Sequence, residues 1–292
     1  MRIDIRYTTR FAYDEPVRES HNELRACPVG SSEQVLVGYR VAMTPPARVF
    51  SYTDYWGTRV DAFGVRTPHT SLEVVAEAAV ETRPRMPPVA SADPAALTDP
   101  GFLATHAELL APSRHTTWGE AVAAAAAERW SLTDDDVVSG VLGLHRLVGH
   151  TLTYLPGVTD VGVDVEDVLA SRQGVCQDYA HLLIAMCRSV GVPARYVSGY
   201  LFTADDATGA DAAADVVQVQ THAWVEVALP GHGWFALDPT NQQLVGERHV
   251  KIGHGRDYDD VAPLRGVYSG PATGELAVEV ELRRLATSQT QQ

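Results

Sequence analysis

The chain has 292 residues, 45% of them apolar, enough to build one large core or two ordinary ones. A formal charge of −14 argues against a nucleic-acid partner, and the absence of any run of 18 apolar residues argues against a membrane span. Three cysteines make no disulfide framework, and the opening Met1-Arg2-Ile3-Asp4-Ile5-Arg6 has no apolar signal region, so a reducing, cytoplasmic setting is the expectation.

From Arg2 to about Thr82, β-branched runs alternate with turns, clearest at residues 35–43, 48–55 and 72–80. Asp54-Tyr55-Trp56-Gly57-Thr58 reads as a hairpin turn, and residues 1–82 are expected to form a small β-sandwich. His21 and His69 in this region are assigned to structure. Six prolines between Arg83 and Pro112 predict a largely extended connector over residues 83–116.

Residues 117–292 form the next unit. Thr117-Trp118-Gly119-Glu120 reads as a capping box opening an alanine-rich helix to about Trp130. A second helix is expected from near Thr133, with Asp134, Asp135 and Asp136 in its first turn as dipole-favoured charges rather than metal ligands. Its core stripe is Val137, Val141, Leu144 and Val148. Asp164 caps a short helix ending near Ser171. No Cys/His spacing fits zinc and no glycine-rich loop fits a nucleotide, so neither a metal nor a cofactor is expected.

The chemistry concentrates after that point. Gly174-Val175-Cys176-Gln177-Asp178-Tyr179-Ala180-His181 places a cysteine behind a glycine turn and at the head of a helix. Cys176, Ala180, Leu183, Cys187 and Val190 fall on one helical stripe, and Gly191-Val192-Pro193 ends it. A thiol attacks a carbonyl as thiolate, and both a helix N-terminus and a neighbouring imidazolium favour that form. His222 lies in a strand-like run, Gln220 to Val227, and Asp238 ends the next run, Gly233 to Asp238. The turn chemistry of Leu229-Pro230-Gly231-His232-Gly233 makes the two a hairpin, so the carboxylate can orient the imidazole and leave its other nitrogen for Cys176. Backbone N–H groups at the helix start, that of Cys176 included, would stabilise an oxyanion. Cys187 and Cys27 read as small core residues.

These segments resemble the bacterial transglutaminase-like superfamily, whose members are also described as cysteine proteases. The likeness takes in the Cys176 motif, Gly191 to Tyr200 after it, Thr221-His222-Ala223-Trp224, Gly233 to Thr240 and a later stretch, Gly255 to Gly266. Tyr7 to Val17 and Ser20 to Arg25 are similar to the β-rich N-terminal region preceding this type of catalytic domain. The resemblance implies an α+β, papain-like catalytic core, with Cys176 as nucleophile, His222 as base and Asp238 as orienting acid. It leaves the reaction open, because such folds host proteases, amidases and transglutaminases. The small, acidic segment 202–215 departs from the pattern and reads as a loop near the cleft.

The leading expectation is thiol-dependent acyl transfer on peptide, isopeptide or glutamine-type amides, with water favoured over an amine as acceptor. A non-catalytic peptide-binding module is the alternative from another class. Thiol redox chemistry fails, since Cys187 would lie about 16 Å along the helix from Cys176. The expected partner is a peptide or protein amide; the sequence assigns no oligomeric state.

Overall fold

The computed structural model describes residues 1–85, 91–133, 136–157, 162–203 and 216–285. Along Arg2–Val17 (β1), Ile3, Ile5 and Tyr7 turn inward while Arg2, Arg6 and Arg10 stay out, the period-two pattern of a strand with one wet face. Then come β2 (Glu19–Leu24), β3 (Gln34–Thr44), β4 (Val49–Thr53), β5 (Arg59–Val65) and β6 (His69–Thr82). Residues 54–58 turn between β4 and β5, with Asp54 Oδ1 accepting from the N–H groups of Trp56 and Thr58 at 3.0 and 2.9 Å.

The stretch expected to be extended is partly helical. Pro94–Thr98 makes a 3₁₀ turn and Pro100–Leu110 forms α1. Each proline follows a capping aspartate: Asp93 accepts from Ala95 N–H and Asp99 from Phe102 N–H. A proline at the first helical position has no needed donor to lose, so it starts a helix rather than preventing one.

Helix α2 (Glu120–Ser131) also begins differently from the expected capping box. Thr117 Oγ1 donates to Ser113 O at 2.9 Å, and the distant Glu166 Oε1 accepts from Gly119 N–H and Val122 N–H at 2.7 and 3.0 Å. Helix α3 (Val137–Thr151) is capped by Asp136, which therefore precedes the first turn; Asp134 and Asp135 lie outside the described residues. Val137, Val141, Leu144 and Val148 are fully buried, as the stripe requires. After β7 (Thr153–Tyr154), Asp164 caps α4 (Val165–Ser171), and β8 (Gln173–Gly174) leads into α5 (Cys176–Ser189). Gly191, at φ +82°, closes α5 as Val192 N–H returns to Cys187 O at 2.9 Å. The remaining elements are β9 (Ala194–Leu201), β10 (Val216–Val219), β11 (His222–Leu229), β12 (Gly233–Asp238), β13 (Gln243–Leu244), β14 (His249–Gly255), α6 (Tyr258–Val261), β15 (Leu264–Ser269) and β16 (Gly274–Leu285).

Two sheets, ordered β10-β16-β1-β6-β3 and β15-β2-β5-β4, share a core that includes Ile3, Ile5, Leu24, Phe63, Val65 and Val80. Strands from the far end of the chain complete both: β16 pairs with β1 from Arg2↔Leu285 to Tyr13↔Gly274, and β15 pairs with β2. The segment read in sequence with residues 117–292 thus returns to cover an edge that β1 would otherwise leave unpaired. A third, antiparallel sheet runs β13-β12-β11-β9-β14. Ala223, Val225 and Val227 on one face pack with the helices, among them Leu144 and Val148 of α3 and Leu183 of α5. Trp224, Val197, Ala236 and Val245 form a separate apolar cluster on the other face. Tyr200, Phe202, Val250 and Ile252 join the sandwich core, so the third sheet is anchored to the first two. The chain is an α+β protein with a β-rich N-terminal region. Among the described residues no helix is long and apolar enough to cross a membrane.

Candidate active site

Helix α5 is interior from Asp178 to Arg188, and its two ends, Cys176-Gln177 and Ser189, approach the surface. Val175 just ahead of it is extended and donates its N–H to Asp178 Oδ2 at 2.7 Å, which fixes the first turn. Cys176 is therefore half-buried at a helix head, where the N–H groups of Cys176 and Gln177 have no preceding turn to bond. Its Sγ lies 3.9 Å from Thr221 O, the residue before β11.

His222 opens β11, and the β11–β12 register pairs Val225 with Leu237, so Asp238 lies diagonal to His222 on the same face. His222 Nε2 donates to Asp238 Oδ2 at 2.8 Å. Cys176 is close enough to this ring to raise its pKa, and Asn241 Nδ2 lies 3.4 Å from Nε2. Of the three residues named from sequence, His222 and Asp238 are hydrogen-bonded and Cys176 lies beside the start of β11.

The surroundings of Asp238 were not legible as motifs. His249 of β14 donates from Nε2 to the same Oδ2 at 3.1 Å, and its Nδ1 accepts the Gly246 N–H at 3.2 Å. With one nitrogen accepting, His249 is a neutral imidazole in a fixed tautomer. Asn241 Nδ2 adds a third donor to Oδ2 at 2.8 Å, while Oδ1 accepts from the N–H groups of Thr240 and Asn241 at 3.1 and 3.2 Å. His145 of α3 donates from Nε2 to the backbone carbonyl of Asp238 at 2.9 Å, pinning the strand end. The loop beyond is clamped by Gln242, whose amide donates to Pro239 O at 3.1 Å and packs on Gly149 of α3, where an added Cβ would meet it at 1.1 Å. Trp224 lies across Gly199 of β9 in the same manner, leaving 2.5 Å to an added Cβ. Glycine is required at Gly199, where the Val250 carbonyl also lies 2.1 Å from the Cβ site, whereas at Gly149 the Gln242 amide would have to move.

The electrostatics follow from these partners. Burial alone would disfavour a charged His222, but the bond to Asp238 and the nearby Cys176 outweigh it and push its pKa up to about 10. Burial opposes the Asp238 carboxylate too, yet donation from His222, His249 and Asn241 holds it well below the usual carboxylate range. His249, on the same oxygen, is pushed down, by its burial and by the neighbouring His222 charge. Tyr154 and Tyr196 are both raised, first by burial and then by Cys176, so both lie near the thiol.

The other sequence assignments fall outside this cluster. Cys187 is fully buried, its thiol pushed up to about 12 by burial, and the buried Cys27 is pushed up to about 11. His69 is a buried structural residue bonded through Nδ1 to Thr67 O at 2.8 Å, whereas His21 is exposed. Of segment 202–215, Phe202 and Thr203 are described and the rest lies outside the described residues. Among the described residues, two sets of His and Asp side chains bring three N or O atoms within 4.8 Å: His222/Asp238/His249 and His115/Asp257/Asp259. The first is the hydrogen-bonded cluster just described. In the second, His115 Nε2 faces Asp259 Oδ1 at 3.2 Å with Arg114 already 3.3 Å from that carboxylate, so a cation is in place.

The Transglutaminase-like superfamily model matches residues 124–239, which include all three site residues, and the Bacterial transglutaminase-like N-terminal region matches residues 3–81. An uncharacterized protein of Mycobacterium leprae is 38% identical over 98% of this chain and 99% of its own, and one of Mycobacterium tuberculosis is 35% identical over 96% and 92%. A protein-glutamine gamma-glutamyltransferase of Pseudomonas aeruginosa is 38% identical over 34% of this chain and 14% of its own. In fold, a structure from Cytophaga hutchinsonii designated a putative cysteine protease superposes with a TM-score of 0.77 over 99% of this chain and 92% of that one, at 24% identity. The chain belongs to the transglutaminase-like superfamily and carries, ahead of its core, that superfamily's bacterial N-terminal region.

Proposed function

We propose that this protein is an enzyme that forms a thioester through Cys176 on a peptide, isopeptide or glutamine side-chain amide and hydrolyses it. The observation that carries the reading is the His222 ring, bonded to Asp238 at 2.8 Å and held charged beside Cys176, whose Sγ lies 3.9 Å from the carbonyl of the preceding Thr221. A charged imidazolium is the natural counter-ion of a thiolate. Thiolate attack forms the C–S bond, the N–H groups at the head of α5 receive the developing oxyanion, and His222 Nδ1 gives its proton to the departing amine. Water then attacks the thioester, His222 takes one of its protons, the C–S bond breaks, the acid leaves and the thiolate–imidazolium pair returns. His249, His145 and Asn241 act through Asp238 as positioning residues.

A second acceptor has specific support. The relative from Pseudomonas aeruginosa named for glutamyl transfer matches this chain over 98 residues, and an amine in place of water would make the same thioester yield a new amide. Intact-mass measurement after brief iodoacetamide exposure from pH 5 to 9 tests the common step. Fast labelling of Cys176 below pH 7, slowed in His222→Ala, is the expected result. Labelling above pH 8 alone, indifferent to the substitution, would leave a binding module as the reading. A glutamine peptide offered with and without a primary amine then separates hydrolysis from transfer by product mass.

A further inference from the structure

The strand that leads into the site has an open side. β10 is an outer strand of its sheet: it pairs with β16 from Val216↔Arg283 to Val219↔Val280, and among the described residues nothing pairs with its other side. In an antiparallel ladder, alternate residues turn their N–H and C=O groups away from the partner. Two of the four residues of β10, either Val216 and Gln218 or Val217 and Val219, therefore offer theirs to a further strand. The side chains fit an open position. Val217 and Val219 pack on the sandwich core, while Gln218 and Val216 are exposed, Val216 to 45%.

The opposite edge of the same sheet is built differently. β3 carries a bulge between Leu36 and Gly38 and the exposed Arg40, features that discourage pairing. β10 has no bulge, no charge and no proline. It also ends beside the thiol. Two residues beyond it, Thr221 places its carbonyl 3.9 Å from Cys176 Sγ, and His222 follows. Two residues span at most about 7 Å, so the edge stops within that distance of the residue touching the thiol. Gln220 and Thr221 belong to no ladder and make no backbone–backbone bond among the described residues, so unpaired backbone continues from β10 up to the thiol.

We propose that the open edge of β10 takes the backbone of the substrate itself, pairing with an extended segment two to five residues from the reacting amide. Those are the offsets of Val219 and Val216 from Thr221. The occupant rests on the acyl-transfer reading; the open edge does not. A second copy of the chain is the other partner for such an edge, and its length decides against that. A ladder of four residues is too short to hold a free partner, but a substrate already held at Cys176 meets it at high effective concentration. Main-chain pairing of this kind reads extended shape rather than side-chain identity.

The probe is a set of capped peptides in which a residue X, bearing a chloroacetamide in place of the glutamine carboxamide, joins Cys176 as a thioether. One is Gly-X-Gly alone; two others add Thr-Val-Thr-Val before or after it, which puts that run two to five residues from X. At pH 6, one of the two extended peptides is expected to label Cys176 about tenfold faster than the short one, the worth of about two backbone hydrogen bonds. Hydrogen exchange of the labelled protein should show new protection at one alternate pair of amides, Val216 and Gln218 or Val217 and Val219. N-methylation of both threonines of that peptide should abolish the two effects and N-methylation of both valines neither, or the reverse. Equal rates for short and extended peptides, or loss with both methylated sets or with neither, would overturn the assignment. So would protection of those amides before any peptide is added, the result a second copy on the edge would give. Fast labelling without protection removes the edge alone. If Cys176 reacts only above pH 8, peptides attached there that still protect β10 remove the acyl-transfer reading alone.

Discussion

Two buried carboxylates on one face of the third sheet have the same local plan and different partners. Asp238 Oδ2 receives His222, His249 and Asn241; Glu226 Oε2 receives Arg195 and Lys251. Each cluster concentrates positive donors on one oxygen inside a protein. The difference is what the donors can give away. The imidazole of the first cluster faces a thiol with which it can exchange a proton, whereas in the second a guanidinium and a lysine, the latter lowered to about 8 by burial, face only the carboxylate they hold. Within the first cluster the same logic repeats. Two imidazoles share one oxygen, and burial with mutual repulsion allows one charge between them, which His222 takes and His249 forgoes.

The sharpest way to break the comparison is to make Asp238 a poorer acceptor. Asp238→Asn keeps the side-chain shape but removes the charge that holds His222 as imidazolium. Turnover is expected to fall by roughly 10²–10⁴, the range of acid–base assistance. Iodoacetamide labelling of Cys176 at pH 6 should slow as well, and the urea midpoint should fall, because a buried carboxylate with five donors is replaced by a neutral amide. Equal labelling in the variant would show that Asp238 does not govern the pair.

The matching substitution in the second cluster should lower stability alone. Glu226→Gln leaves two cations buried without a counter-charge, a loss of about 3–5 kcal/mol in stability, read from urea unfolding, with Cys176 labelling unchanged. In the native protein, burial opposes the Glu226 carboxylate, but Lys251 and Arg195 outweigh that and lower its pKa to about 2, from an ordinary 4.5. Its stabilising contribution is therefore present above about pH 4.5 and lost as pH falls through about 2. A rise in stability on acidification would contradict the assigned pairing.

His222 gives the opposite sign. Its pKa is raised from 6.5 to about 10, so its contribution to stability is full below about pH 6.5 and lost as pH rises through about 10. The imidazolium is also the proton donor to the leaving amine, so the alkaline limb of turnover should fall near pH 10. A limb near 6.5 would mean that Asp238 and Cys176 do not hold the ring in solution.

The first cluster was mostly legible in sequence and the second was not. Cys176, His222 and Asp238 each sit inside a local pattern, a glycine turn before a helical stripe and two alternating runs joined by a turn. His249 and Lys251 have no such frame. Their roles depend on β14 pairing with β9, a contact that no short window contains. Arg195 and Glu226 were visible only as strand residues, because what matters is that one oxygen receives both cations. The same limit hid the cap that Glu166 supplies to α2 from 44 residues away and the return of β15 and β16 to the N-terminal sheets, whereas α1 has a local start signal, Asp99-Pro100, masked by the density of prolines around it. Local propensity and spacing were readable; partners brought from far along the chain were not.

His249 gives the smallest effect and the finest test of the comparison. In His249→Phe, Asp238 loses one of three donors on Oδ2, so its remaining negative charge pulls harder on His222. The imidazolium is then harder to deprotonate, and the alkaline limb should move above about 10. Loss of one hydrogen bond to a charged group is worth about 1.5 kcal/mol, so turnover should fall about tenfold as Asp238 loosens. His249→Gln, whose amide can still donate to Oδ2, should restore the limb and most of the rate. A residue that merely fills space beside Trp224 would behave otherwise: phenylalanine would lower stability or rate without moving the limb, and glutamine would be the worse replacement. The direction of the limb, read on both variants, therefore decides whether the second histidine tunes the first or only packs beside it.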